Sequence, residues 1–112
     1  MKMTPVPEAP MDANTVASDE MSAAAGEATA FLKALAHEGR LMILCHLAQG
    51  EKSVTELERL LDARQSAVSQ QLARLRLEGM VDNRREGKVI YSRFAAGQVE
   101  RIIPLLHDIF CA

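Results

Sequence analysis

A chain of 112 residues, 48% apolar and carrying a formal net charge of −2, can bury one core and little more, because domains commonly run to about 100–150 residues. The lack of tryptophan, with only Phe31, Tyr91, Phe94 and Phe110 as aromatic side chains, argues against a stacking platform for single-stranded nucleic acid. Two cysteines are too few for a disulfide-stapled secreted scaffold, LMIL is far short of the ~20 apolar residues of a membrane span, and no basic start with an apolar stretch follows Met1, so a soluble cytoplasmic protein is expected.

Residues 1–17, with Pro5, Pro7 and Pro10, show no apolar period and read as a flexible leader. The remaining 18–112 form the expected domain. Ser18, followed by Asp19 and Glu20, resembles a helix start, and Ala24, Ala28, Phe31, Leu32 and Leu35 recur at helical spacing to about Ala36. A second helix follows in RLMILCHLAQG, where Leu41, Leu44, Cys45 and Ala48 share one face and Gly50 supplies a left-handed stop. His37 stands at its start as a capping residue, and His46 reads as a surface histidine.

Ser53 and Glu56 in SVTE have capping-box spacing and open a third helix, with Val54, Leu57, Leu60 and Leu61 apolar, ending near Asp62. After a short turn, QSAVSQQLARLRLEG presents Val68, Leu72 and Leu75 inward and stops at Gly79. This is helix-turn-helix spacing. The period then changes: Val81 to Arg84 and Val89 to Arg93 read as two strands joined around Glu86 and Gly87. A last helix carries Val99, Ile102, Ile103, Leu106 and Phe110, with Pro104 expected to bend it. The fold class is mainly α with a small β-hairpin: four helices, the hairpin as a wing, and a closing helix.

Charge is unevenly spread. Arg64 to Arg93 holds seven basic residues against three acidic ones, so this segment is +4 and the rest of the chain −6. A cationic block on an acidic body suits a DNA-facing surface, although an ordinary solvated face has the same composition. On the outer face of the fourth helix, Gln65, Ser66, Ser69, Gln70 and Arg74 can donate to and accept from base edges and phosphates, while Arg84, Arg85 and Lys88 on the wing can meet the phosphate backbone. The alternative is a helix that is polar because it meets water. The capped third helix, polar fourth helix and basic hairpin together favour double-stranded DNA.

From about Phe31 to Phe94 the chain resembles the ArsR family of bacterial winged-helix repressors: KALAHEGRLMIL is similar to its helix-two signature, SAVSQQLARLRLEGMV to its recognition helix and RREGKVIYSRF to its wing. The resemblance implies a homodimeric winged helix-turn-helix repressor paired through its first and last helices and bound to operator DNA. Gln71 stands where many members have histidine, and Arg64 where a serine usually caps the recognition helix. Ser53, Thr55 and Glu58 occupy the places of the family's metal-binding cysteines, and only His107 fits the metal site of the last helix. No metal and no cofactor are therefore expected.

Cys45 and Cys111, 66 positions apart, match the sulfide- and persulfide-responsive subgroup of SqrR and BigR type. That resemblance implies that the reduced dithiol binds operator, and that low-molecular-weight persulfides or polysulfides induce release by linking the two thiols. A direct disulfide needs Cα atoms within about 7 Å, whereas added sulfur atoms reach further. His107, one helical turn before Cys111, is a candidate for tuning that thiol. Three other readings stay open: cysteine as a small buried hydrophobe, a zinc or copper sensor built from Cys45, Cys111 and His107, and, more remotely, a thiol oxidoreductase. The last lacks a CxxC and any acid, base or nucleotide loop, so an enzyme is not expected.

Overall fold

A computed structural model describes residues 11–95 and 97–111, with side chains from Asp19 onward. The first helix, α1, spans Met11–Leu35. It begins before Ser18, which lies inside it and not at its cap. No proline or glycine interrupts the sequence between Pro10 and Gly26, so nothing local stops helical hydrogen bonding there. The expected leader overlaps this helix at residues 11–17, and its remainder, 1–10, lies outside the described residues. The chain divides between Phe31 and Leu32 into two compact units; most of α1 belongs to the first, and everything that follows belongs to the second.

In the second unit α2 covers Glu38–Leu47. His37 caps it as expected, Nδ1 accepting from the Gly39 N–H at 3.1 Å. The expected inward face is rotated. Ile43, Leu44 and Leu47 are buried, whereas Leu41 and Cys45 are only half-buried and Ala48 is exposed. LMILC is apolar all round, so periodicity does not single out one face and the neighbouring helices decide. The stop also differs: Ala48, in right-handed conformation, is the C-cap. Gly50 lies two residues further on at φ 132°, a backbone that favours glycine, in the turn that leads out of the helix.

That turn enters β1, Lys52–Ser53, a strand absent from the sequence-based reading. It precedes α3, Val54–Leu61, and α4, Gln65–Leu77, after which β2, Val81–Glu86, and β3, Val89–Phe94, form the hairpin. The hairpin is longer than expected, and its turn is Gly87 and Lys88, between the paired Glu86 and Val89. β1 adds antiparallel to β3, Ser53 opposite Tyr91, giving the order β1-β3-β2. Two residues are too short to show alternation, and Ser53 already carries a cap signal, which hides the strand. The last helix, α5, covers Gln98–Cys111 and continues through Pro104.

Leu57 from α3, Val68, Leu72 and Leu75 from α4, Met80, Val81, Val99 and Ile103 complete the core around α2. The inward triad of α4 matches the expectation. On α5 only Val99 and Ile103 are buried; Ile102 and Leu106 are half-buried, and Phe110 is 78% exposed, contrary to its reading as part of an inward face. Phe110 shares an exposed apolar surface of α5 with Leu105 and Ile109.

Candidate nucleic-acid interface and thiol pair

The two helices of the helix-turn-helix are anchored differently. At the start of α3 the Ser53 hydroxyl accepts from the Glu56 N–H at 3.1 Å, while the Glu56 carboxylate accepts from the Ser53 N–H at 2.9 Å. That reciprocal box satisfies two donors a helix end leaves open. The backbone hydrogen bond from Ser53 holds the Glu56 carboxyl below its ordinary range. At the other end Asp62 turns left-handed at φ 50° and returns its N–H to the last turn of α3. The chain then reaches α4 within the short turn the sequence suggests.

Arg64, at the N-cap of α4, makes no side-chain cap hydrogen bond, consistent with the loss of the usual serine. Gln65, Ser66, Ser69, Gln70 and Arg74 are all exposed. Burial of Val68, Leu72 and Leu75 on the opposite side turns this polar face outward. Arg74 donates from Nε to Glu78 at 3.1 Å, one turn later; the pair is exposed and holds the guanidinium only weakly.

The wing separates three cations that the sequence groups together. Arg85 and Lys88 are exposed, and Lys88 sits in the hairpin turn. Arg84 is half-buried: its Nε donates to Glu51 at 3.0 Å, a second nitrogen also reaches Glu51, a third donates to Glu86 at 2.9 Å, and the guanidinium lies 4.8 Å from the centre of the Tyr91 ring. These bonds hold the Glu51 carboxyl below, and the Arg84 guanidinium above, their ordinary ranges. Arg84 thus joins the wing to the segment ahead of β1, with most of its donors spent inside the protein. Linear sequence could not reveal this, because Glu51 lies 33 positions away.

Both cysteines are free thiols, Cys45 half-buried on α2 and Cys111 exposed at the end of α5. Burial pushes the Cys45 thiol up, and the negative charge of Cys111 adds to the rise. His107 is exposed on α5. Among the described residues no three His, Cys, Asp or Glu side chains assemble as a metal ion requires, so the alternative metal site of Cys45, Cys111 and His107 is not formed within this chain. His107 and Cys111 are exposed on α5, whereas Cys45 is half-buried on α2.

A connection the sequence did not suggest links α2 to α4. Arg40 donates from Nε to the Ala34 carbonyl at 2.7 Å and from a terminal nitrogen to Gln71 Oε1 at 3.4 Å. The departure from histidine at Gln71 was the one available signal. Among the described residues no helix is long and apolar enough to cross a membrane.

Comparisons with known proteins add a family model described as bacterial regulatory protein, arsR family, which matches residues 37–83. The biofilm growth-associated repressor of Agrobacterium fabrum is 50% identical over 105 residues, 94% of this chain and 90% of that protein. The transcriptional activator HlyU of Vibrio cholerae is 42% identical over 92 residues, 82% of this chain and 85% of that protein. Among solved structures, reduced HlyU from Vibrio cholerae superposes with a TM-score of 0.79 at 42% identity, covering 83% of this chain and 98% of that one. The transcriptional repressor BigR from Xylella fastidiosa gives a TM-score of 0.77 at 39% identity, covering 84% and 93%.

Proposed function

The chain belongs to the arsR family of bacterial regulatory proteins and is a DNA-binding transcriptional regulator, not an enzyme; from that premise we propose that it is a homodimeric repressor whose grip on operator DNA is switched by Cys45 and Cys111. Gln65, Ser66, Ser69, Gln70 and Arg74 meet the major groove, and Arg85 and Lys88 meet phosphates. Arg84 serves chiefly to hold the wing in place. The exposed Leu105, Ile109 and Phe110 on α5 support self-association through that helix together with α1. Two recognition helices in such a dimer must reach successive major grooves, about 34 Å apart, so a small change in the angle between protomers suffices to disengage one.

The observation that carries the switch is a pair of free thiols in unlike settings, Cys45 half-buried on α2 and Cys111 exposed at the end of α5. Burial opposes ionisation of Cys45, so the exposed Cys111 is the first nucleophile. Its thiolate attacks the outer sulfur of a low-molecular-weight persulfide and expels the thiol, leaving a persulfide on Cys111. Cys45 then attacks Cys111 Sγ, expelling hydrogen sulfide and forming a disulfide. A second persulfide, inserted before closure, leaves one extra sulfur in the bridge and releases one more thiol. The protein is oxidised and the persulfide sulfur reduced.

The test is operator binding before and after glutathione persulfide, for the parent protein and for Cys45→Ser and Cys111→Ser, alongside intact mass under non-reducing conditions. Loss of affinity only where both thiols are present, with a mass matching a bridge, supports the switch. Unchanged parental affinity dismisses it. Alkylation at neutral pH should modify the exposed Cys111 faster than the half-buried Cys45.

A further inference from the structure

Beside α4 lies a cavity of about 550 Å³, open to solvent and walled by Met42 and Ile43 of α2, Leu61 of α3, and Ala67 and Val68 of α4. That volume falls within the ~300–1,000 Å³ of small-molecule pockets, which are mostly apolar with a few polar groups fixing orientation. Here the polar groups are His37 and Gln71 on the rim, with Glu38 alongside.

The protons at that rim define what would fit. His37 Nδ1 accepts the Gly39 N–H, so it carries no proton, and the neutral ring carries its proton on Nε2. Arg40 can only donate, which orients the Gln71 amide with its oxygen toward Arg40 and its NH2 toward His37. The two nitrogens, His37 Nε2 and Gln71 Nε2, stand 3.4 Å apart. Both are donors. Reversing the amide would only move the conflict to Arg40, and a charged imidazole would forfeit the helix cap. The cluster therefore has two N–H groups converging without an acceptor of its own, at the mouth of an apolar cavity. Gly39 keeps this corner open: a Cβ there would lie 3.2 Å from His37 Cε1 and 3.5 Å from Gln71 Nε2.

We propose that this cavity is a binding site for a small neutral carbonyl compound, an amide, ester or ketone with an apolar ring or chain, whose oxygen accepts from both His37 and Gln71. A carbonyl oxygen has two lone pairs, one for each donor. Its apolar body lies against Met42, Leu61 and Ala67. Glu38 on the lining disfavours a carboxylate, and the charge of Arg40 is directed at the carbonyls of Ala34 and Lys33 and at Gln71. The site is separate from both thiols and from the outward face of α4.

Three near-isosteric probes test it: acetophenone, ethylbenzene without the oxygen, and benzoate with a charge. Each is titrated into isotope-labelled full chain, following the Gln71 side-chain amide and the His37 ring by NMR. Acetophenone should bind saturably, shift both groups, and bind about tenfold more tightly than ethylbenzene or benzoate, as two modest hydrogen bonds allow. Gln71→Met should remove most of that advantage while leaving ethylbenzene unchanged, and its unaltered backbone spectrum would exclude misfolding. Equal affinity for acetophenone and ethylbenzene, tighter binding of benzoate, shifts confined to other residues, or no saturable shift overturns the proposal.

Discussion

α3 and α4 are adjacent helices of one motif, yet α3 is closed at both ends by its own chain while α4 begins on Arg64 with no side-chain cap. Their exposed faces differ in the same sense. α3 is tied into the sheet through Ser53, which pairs with Tyr91 as well as capping the helix, whereas α4 sets its polar groups toward solvent. The contrast teaches that the scaffold is fixed locally, by short-range hydrogen bonds, and the reading helix is fixed from behind, by burial of Val68, Leu72 and Leu75.

The sharpest way to break that division is to remove the core anchor of the scaffold helix. Leu57→Ala empties a fully buried site on α3 and should cost about 3 kcal/mol in denaturant unfolding. Gln70→Ala should leave stability unchanged and weaken operator binding about tenfold, the worth of one bidentate base contact; an equal loss of affinity for unrelated DNA would show that Gln70 does not read sequence. Ser53→Ala removes the cap and should lower stability by about 1 kcal/mol, with operator affinity falling only in proportion to the unfolded fraction.

Smaller effects sharpen the comparison on the wing. Arg85→Ala should lower the slope of log affinity against log salt by about 1, the signature of one lost phosphate contact. Arg84→Ala should leave that slope nearly unchanged, because its guanidinium already serves Glu51 and Glu86. The smallest change is expected from Arg64→Ser, which supplies the missing cap oxygen and should raise stability by about 0.5 kcal/mol. A measured loss in that variant would mean that the Arg64 side chain does something the cap does not replace.

Features of short range were legible in the linear chain: the capping box at Ser53 and Glu56, the His37 cap, the inward triad of α4 and the hairpin. Each depends on residues a few positions apart, where helical or strand period acts directly. The face of α2 was not legible, since LMILC is apolar on every side, nor was β1, which exists only because β3 returns to pair with it. The candidate interface was readable as residue types on one helix face. The engagement of Arg84 was not, because its partner Glu51 is distant in sequence.

Local chemistry encoded in the chain was thus enough to specify the start of α2, both ends of α3, the polar face of α4 and the presence of two isolated thiols. Tertiary packing alone decided which wing cation is free and which side of α2 enters the core. Caps and periods act over a few residues of backbone, whereas these two outcomes require separate elements to compete for the same buried surface or for the same charged partner, and that competition is resolved only when the whole core closes.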